Sequence, residues 1–290
     1  MESTTDTLAE DADIDAPAVS LRGWSVSGKQ GDVFADVDLE VPTGAVAVVR
    51  GPAGSGKTSF LLSLAGRMKV SAGEGRLGDL DIRKQARKVR GQVAVGHIGG
   101  LTDLEDDFTV AQHVAERQIM LQPWYKPWAS KSTLREVIGL FRDAFTTATE
   151  LIDDLPPGTF SKQDAQRADF LIDDDGEVFV SELSELQKFF LEFSLANLSR
   201  PPVVVIDNID YLRESADRAR AWAGILIYQQ MRRTRDPEDP LTVIVSCEDS
   251  SELDIATSSL GPRTEPSVLE LELPPHLPAQ RGSKIGRAHV

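Results

Sequence analysis

Gly51-Pro52-Ala53-Gly54-Ser55-Gly56-Lys57-Thr58 matches the phosphate-binding pattern G-x-x-x-x-G-K-[ST] at every fixed position. The bare pattern arises by chance in roughly one chain of this size in a hundred, so its flanks decide whether it is real. Ala45-Val46-Ala47-Val48-Val49 leads in and reads as a buried strand; Ser59-Phe60-Leu61-Leu62-Ser63-Leu64-Ala65 leads out and reads as a helix. Strand, glycine loop and helix together point successive main-chain N–H groups at phosphate oxygens, with the helix N-terminus adding partial positive charge. Lys57 is expected to neutralise the β- and γ-phosphates, and Thr58 to place its hydroxyl on Mg2+.

Outward from the loop, residues 19–26 and 32–41 alternate apolar and polar residues and read as paired strands. Pro42-Thr43-Gly44 is a turn. Residues 73–82 suit a short hairpin, and 92–97 a strand ending in a glycine-rich loop. Residues 110–120 and 132–152 read as helices. Between them lies Pro123-Trp124-Tyr125-Lys126-Pro127-Trp128. These aromatics are expected to pack an insertion's core; exposed, they would mark an interface. Residues 176–180 read as extended. Leu186, Phe189, Phe190, Phe193 and Leu198 recur near helical spacing, Pro201-Pro202 stops that helix, and Val203-Val204-Val205-Ile206 is continuously apolar, as parallel sheets favour. A helix over 215–233, a strand over 242–246 and an edge strand over 268–273 complete the pattern.

The chain has 290 residues, 41% hydrophobic and 27% charged, which suits a globular domain. A net charge of −15 argues against a nucleic-acid groove and against docking on anionic lipid. No apolar run reaches the ~20 residues of a membrane span, so no direct membrane insertion is expected. Cys247 is the one cysteine and there is no leader pattern, so a cytoplasmic setting is expected. Residues 1–17 are acidic without a basic residue and read as a disordered tail. Residues 274–290 read as a second tail; the last, 284–290, resemble a translated sequencing adapter and are set aside from the fold.

Val203-Val204-Val205-Ile206-Asp207 has the form of a Walker B strand, with a carboxylate at the sheet edge where ligands of open α/β folds bind. Asp207 would hold Mg2+ beside Thr58. With it the chain resembles the nucleotide-binding domains of ATP-binding cassette (ABC) transporters. Val180-Ser181-Glu182-Leu183-Ser184-Glu185-Leu186-Gln187 looks like the family's V-S-x-L-S-G-G-Q signature, followed by a helix and the Asp207 strand. Residues 37–44 and 109–115 resemble the family's lead into the loop and the start of its helical subdomain. The likeness covers 19–273.

The resemblance implies an α/β fold: a P-loop NTPase core of mostly parallel sheet flanked by helices, an N-terminal antiparallel β subdomain, and a helical insertion at about 109–182, all within a domain over 18–273. It implies ATP and Mg2+ as cofactors, a separate integral membrane permease, and a second nucleotide-binding domain meeting this one head to tail, placing the chain at the inner face of the cell membrane. ATP would then contact residues 51–58 of one copy and Ser184 and Gln187 of the other. The chain departs from the family at its hydrolytic positions. Glu185 and Leu186 replace both signature glycines, Leu186 being expected to hinder close backbone approach. Asn208 stands where a glutamate polarises water, Glu248 (or Cys247) at the switch histidine, and His97 at the Q-loop glutamine. Trp24 is the stand-in for the aromatic that stacks on adenine. The alternative function is an ATP-binding partner or regulator impaired in hydrolysis.

Overall fold

The computed structural model describes residues 17–29, 31–126, 128–160, 172–261 and 268–273. The acidic segment up to residue 16 and the stretch from 274 onward lie outside them.

Two sheets organise the chain. The first is antiparallel, in the order β2-β1-β4-β5: β1 (Val19–Gly28), β2 (Gly31–Val41), β4 (Ala72–Leu77) and β5 (Leu80–Asp81). The second is wholly parallel, in the order β6-β7-β8-β3-β9. Its strands are β3 (Val46–Arg50), β6 (Val93–His97), β7 (Val203–Ile206), β8 (Thr242–Cys247) and β9 (Val268–Glu272). The strand over 268–273 is indeed at an edge.

Alternation along the parallel strands builds two cores. Val46, Val48, Val204, Ile206, Val243 and Val245 face one way. They meet the phenylalanine-rich α5 (Glu185–Asn197), α6 (Ser215–Arg235) and α7 (Ser251–Leu260). Ala47, Val49, Val203, Val205 and Ile244 face the other way, toward α1 (Lys57–Leu64), α2 (Ala86–Gln92) and the antiparallel sheet. Strands buried on both faces have no polar alternation to show, which is why β7 and β8 read as unbroken apolar runs.

α3 (Val110–Leu121) and α4 (Lys131–Asp153) occupy the span expected to be a helical insertion. α3 begins on a capping box, with Thr109 Oγ1 accepting from the Gln112 amide and Gln112 Oε1 accepting from the Thr109 amide. The segment expected to be extended, 176–180, forms only an isolated bridge, Thr109 to Phe179. Its Gly176 and Val178 carbonyls accept from the first amides of α3, satisfying donors that the helix start leaves open. Val180–Glu182 is a 3-10 turn. The expectation for the aromatic segment does not hold. Trp124, Tyr125 and Trp128 are 91%, 60% and 65% exposed, while the core of this region is filled by Phe141, Phe145, Phe189, Phe190 and Phe193.

Candidate functional site

The strand β3 delivers the loop at 51–58 to the carboxyl edge of the parallel sheet, and α1 carries it away. Backbone geometry explains its glycines. Gly56 caps α1 at φ 94°, in the left-handed region that side chains resist. A Cβ on Gly51 would sit 2.6 Å from Ser55 Oγ and 2.7 Å from the Leu273 carbonyl. Pro52 accepts a turn bond from the Ser55 amide at 3.1 Å. Ala53 and Gly54 are exposed at the tip, with no atom near enough to crowd a Cβ at Gly54. Lys57 is buried, and its Nζ donates to the carbonyls of Gly51 (2.5 Å) and Pro52 (3.1 Å), folding back across the loop. The Ser55 hydroxyl is buried without a hydrogen-bond partner.

Thr58 and Asp207 are far apart in sequence and adjacent in space: Thr58 Oγ1 donates to Asp207 Oδ2 at 2.6 Å. The other carboxylate oxygen, Oδ1, accepts from Ser246 Oγ at 2.5 Å, and the Asp207 amide donates to the His97 carbonyl at 2.7 Å. Three neighbouring strands thus fix one carboxylate beside one hydroxyl. Ser246 was not singled out from sequence. Its signal is a polar residue near the end of an apolar strand that neighbours both β3 and β7, and the pairing of those strands is not legible in the chain.

The remaining site residues are placed differently. Asn208 adopts φ 52°, ψ 58° at the exit of β7, with its amide donating to Ser246 Oγ at 2.8 Å. Asparagine tolerates this left-handed turn better than most residues, so Asn208 has a local backbone role. His97 Nδ1 meets Glu192 Oε2 at 2.5 Å, and its ring stacks on Tyr211 with centroids 4.1 Å apart. Burial pushes the Glu192 carboxyl above the usual carboxylate range, against the opposing pull of His97. Glu248, rather than the fully buried Cys247, stands exposed at the sheet edge; its amide donates to Asp210 Oδ2 at 2.7 Å. Burial raises the Asp210 carboxyl despite that bond.

Ser184 and Gln187 form a capping box at the start of α5. Ser184 Oγ accepts from the Gln187 amide at 3.2 Å, and Gln187 Oε1 accepts from the Ser184 amide at 2.8 Å. Two expectations are corrected here. Leu186 does not obstruct the face of this motif, because its side chain is buried in the core; Glu185 is the exposed residue, 4.0 Å from Lys188 Nζ. Trp24 cannot stack on a base: it is fully buried, and its indole N–H donates to Ser63 Oγ at 2.9 Å. No cluster of three or more His, Cys, Asp or Glu side chains suited to a metal occurs among the described residues. A divalent ion here would depend on Thr58, Asp207 and the ligand's own oxygens.

A family model described as ABC transporter matches residues 34–209. The chain is 37% identical over 73 residues to the cytochrome c biogenesis ATP-binding export protein CcmA of Pseudomonas putida, covering 25% of this chain and 35% of that one. It is 27% identical over 115 residues to the petrobactin import ATP-binding protein FpuD of Bacillus anthracis, covering 39% and 41%. The chain thus spans about a third of the length of the first curated relatives it matches. Among solved structures, cbiO1 of Clostridium perfringens, part of the ABC transporter complex cbiONQ, superposes with a TM-score of 0.56 at 15% identity, over 83% of this chain and 82% of that one. A bacterial Atm1-family ABC exporter with ATP bound gives 0.57 at 15% identity, over 90% and 38%. These superpositions establish a shared ATP-binding-cassette fold.

Proposed function

The chain belongs to the ABC transporter family, and from that premise we propose that it is an ATP-binding subunit serving a separate membrane permease. The observation that carries the reading is the 2.6 Å bond between Thr58 and Asp207, which joins the glycine loop to the Walker B strand. The loop fits a triphosphate: its tip is open at Gly54, where nothing crowds the backbone, and the Ser55 hydroxyl is a buried donor short of an acceptor. Lys57, held on two carbonyls, would move its ammonium to the β- and γ-phosphates. Thr58 and Asp207 would hold Mg2+, which neutralises phosphate charge when bound.

Coupling to the permease is assigned to the helical insertion. A groove of about 660 Å3 lies beside β6 and α3, lined by Leu101, Phe108, His113, Arg117, Met120 and Glu192 among others. Arg117 Nε is buried there without a partner, a donor that a docked segment could satisfy. No described helix is long and apolar enough to cross a membrane. In this reading, supported by family membership, the subunit works at the cytoplasmic face of the membrane, paired with a second nucleotide-binding domain.

Asn208 favours a second reading, an ATP-binding subunit that hydrolyses slowly or not at all. A neutral amide orients water but accepts a proton poorly. ATP affinity and phosphate release of wild type, Lys57→Ala and Asn208→Glu separate the two. Lys57→Ala is expected to weaken Mg-ATP binding by ~2–3 kcal/mol, since a charge-assisted contact is lost; unchanged affinity removes the assignment of that lysine. Wild-type turnover abolished by Lys57→Ala supports the transporter ATPase. Binding without turnover, restored by Asn208→Glu, supports the impaired subunit.

A further inference from the structure

The loop between α3 and α4 carries the most exposed aromatic surface of the described residues. Trp124 is 91% exposed, Trp128 65% and Tyr125 60%. The loop is held open rather than collapsed. Buried Gln118 ties its two ends together: Oε1 accepts from the Ser130 amide at 2.8 Å, and Nε2 donates to Thr133 Oγ1 at 3.0 Å. A turn bond from the Lys126 amide to the Pro123 carbonyl (2.8 Å) shapes the tip, and Trp124 and Tyr125 meet edge to face with centroids 6.0 Å apart. Rings displayed in this way lose little freedom when they are buried by something else.

We propose that this tip enters the headgroup interface of a lipid bilayer, an attachment distinct from the permease groove and independent of nucleotide. Tryptophan, tyrosine and lysine on one short loop are the residues that settle at membrane–water boundaries, where a ring is buried and its polar edge stays wet. Three aromatic side chains at these exposures offer about 400 Å2. That is about half of the ~800 Å2 per partner that a stable protein interface needs. It suffices for a peripheral lipid contact, whose strength scales with buried apolar area.

Charge at the tip does not oppose this contact. No carboxylate occurs between Arg117 and Arg135 in a chain of net charge −15. Lys131 and Arg135 share a crevice with Asp174, Asp175 and Glu177, which balances the base of the loop and leaves Lys126 as the charge at the tip. The acidic body opposes an anionic surface as a whole, yet that repulsion is screened beyond ~8 Å at physiological salt. Binding therefore rests on the rings and is insensitive to salt.

Vesicle flotation of the full chain tests this, with vesicles of phosphatidylcholine alone and of phosphatidylcholine mixed with phosphatidylglycerol, at low and high salt. Wild type is expected to float with both, and its tryptophan emission to shift to the blue. Trp24 and Trp222 are fully buried, so that shift reports Trp124 and Trp128. The double variant Trp124→Ala/Trp128→Ala is expected to lose binding by about tenfold or more with its thermal unfolding unchanged. Lys57→Ala is expected to float like wild type, so this reading and the nucleotide reading fail separately. Absence of flotation, equal flotation of the double variant, or flotation on phosphatidylglycerol alone that salt abolishes would overturn the proposal. So would loss in the double variant of binding to a detergent-solubilised permease when neither protein floats with vesicles, which would make the tip a protein-docking element.

Discussion

At the residue scale, the Ser246 hydroxyl donates to Asp207 Oδ1 and accepts from the Asn208 amide. One side chain thus orients the carboxylate assigned to Mg2+ and pins the turn that follows it. Ser246→Ala leaves a buried carboxylate oxygen and a main-chain N–H each short of a partner, so we expect a loss of ~1–3 kcal/mol in urea unfolding. Mg2+-dependent nucleotide affinity should fall as well, because Asp207 then keeps only its bond to Thr58 as a side-chain anchor. Stability and affinity both equal to wild type would show that water replaces the hydroxyl without cost. The phosphate loop was legible because its pattern is local: every fixed residue lies within eight positions, flanked by a strand and a helix. Ser246 was not, since its role exists only when β7 and β8 are paired. Trp24 misled for a related reason, as nothing local distinguishes a ring that stacks on a ligand from one buried against Ser63.

At the element scale, strands and long helices were recovered and short polar helices were not. α2 buries only Val89 among its seven residues, so no apolar stripe announces it. α5 is the opposite case, with nearly every side chain buried. Its close packing on α6 requires Gly224, where a Cβ would lie 2.3 Å from the Phe190 ring. α5 also carries Glu192 to His97 at the end of β6. Burial raises the folded-state pKa of Glu192, so the native protein holds that proton more tightly than the unfolded chain does. The charged carboxylate therefore costs stability above its raised pKa, and the cost disappears as pH falls through that value toward the ordinary range. Glu192→Gln keeps an acceptor for His97 and removes the charge. Chemical unfolding between mildly acidic and mildly alkaline pH should show the variant's advantage over wild type greatest at the alkaline end and shrinking as pH falls. An advantage that grows toward acid would reverse the sign assigned to this pair.

At the scale of the whole molecule, one parallel sheet separates two cores and brings its loops to a single edge. The face of the signature-like motif is set by α5, whose first residue, Glu185, is exposed while Leu186 turns inward. In the proposed head-to-tail pair, Glu185 of one copy approaches the γ-phosphate held by the other, and two negative groups brought together in a partly desolvated interface repel. Lys188, 4.0 Å from Glu185 and 3.0 Å from Asp106, only partly offsets this charge. Glu185→Gly removes the carboxylate without disturbing the capping box, which is made by Ser184 and Gln187. Light scattering with Mg-ATP should therefore show the variant dimerising at a protein concentration about tenfold or more below that needed by wild type, a difference of at least ~1.4 kcal/mol. The shift should vanish in nucleotide-free protein, where no γ-phosphate opposes the carboxylate. A variant that dimerises no better than wild type with Mg-ATP would mean that Glu185 does not face the nucleotide of a second copy.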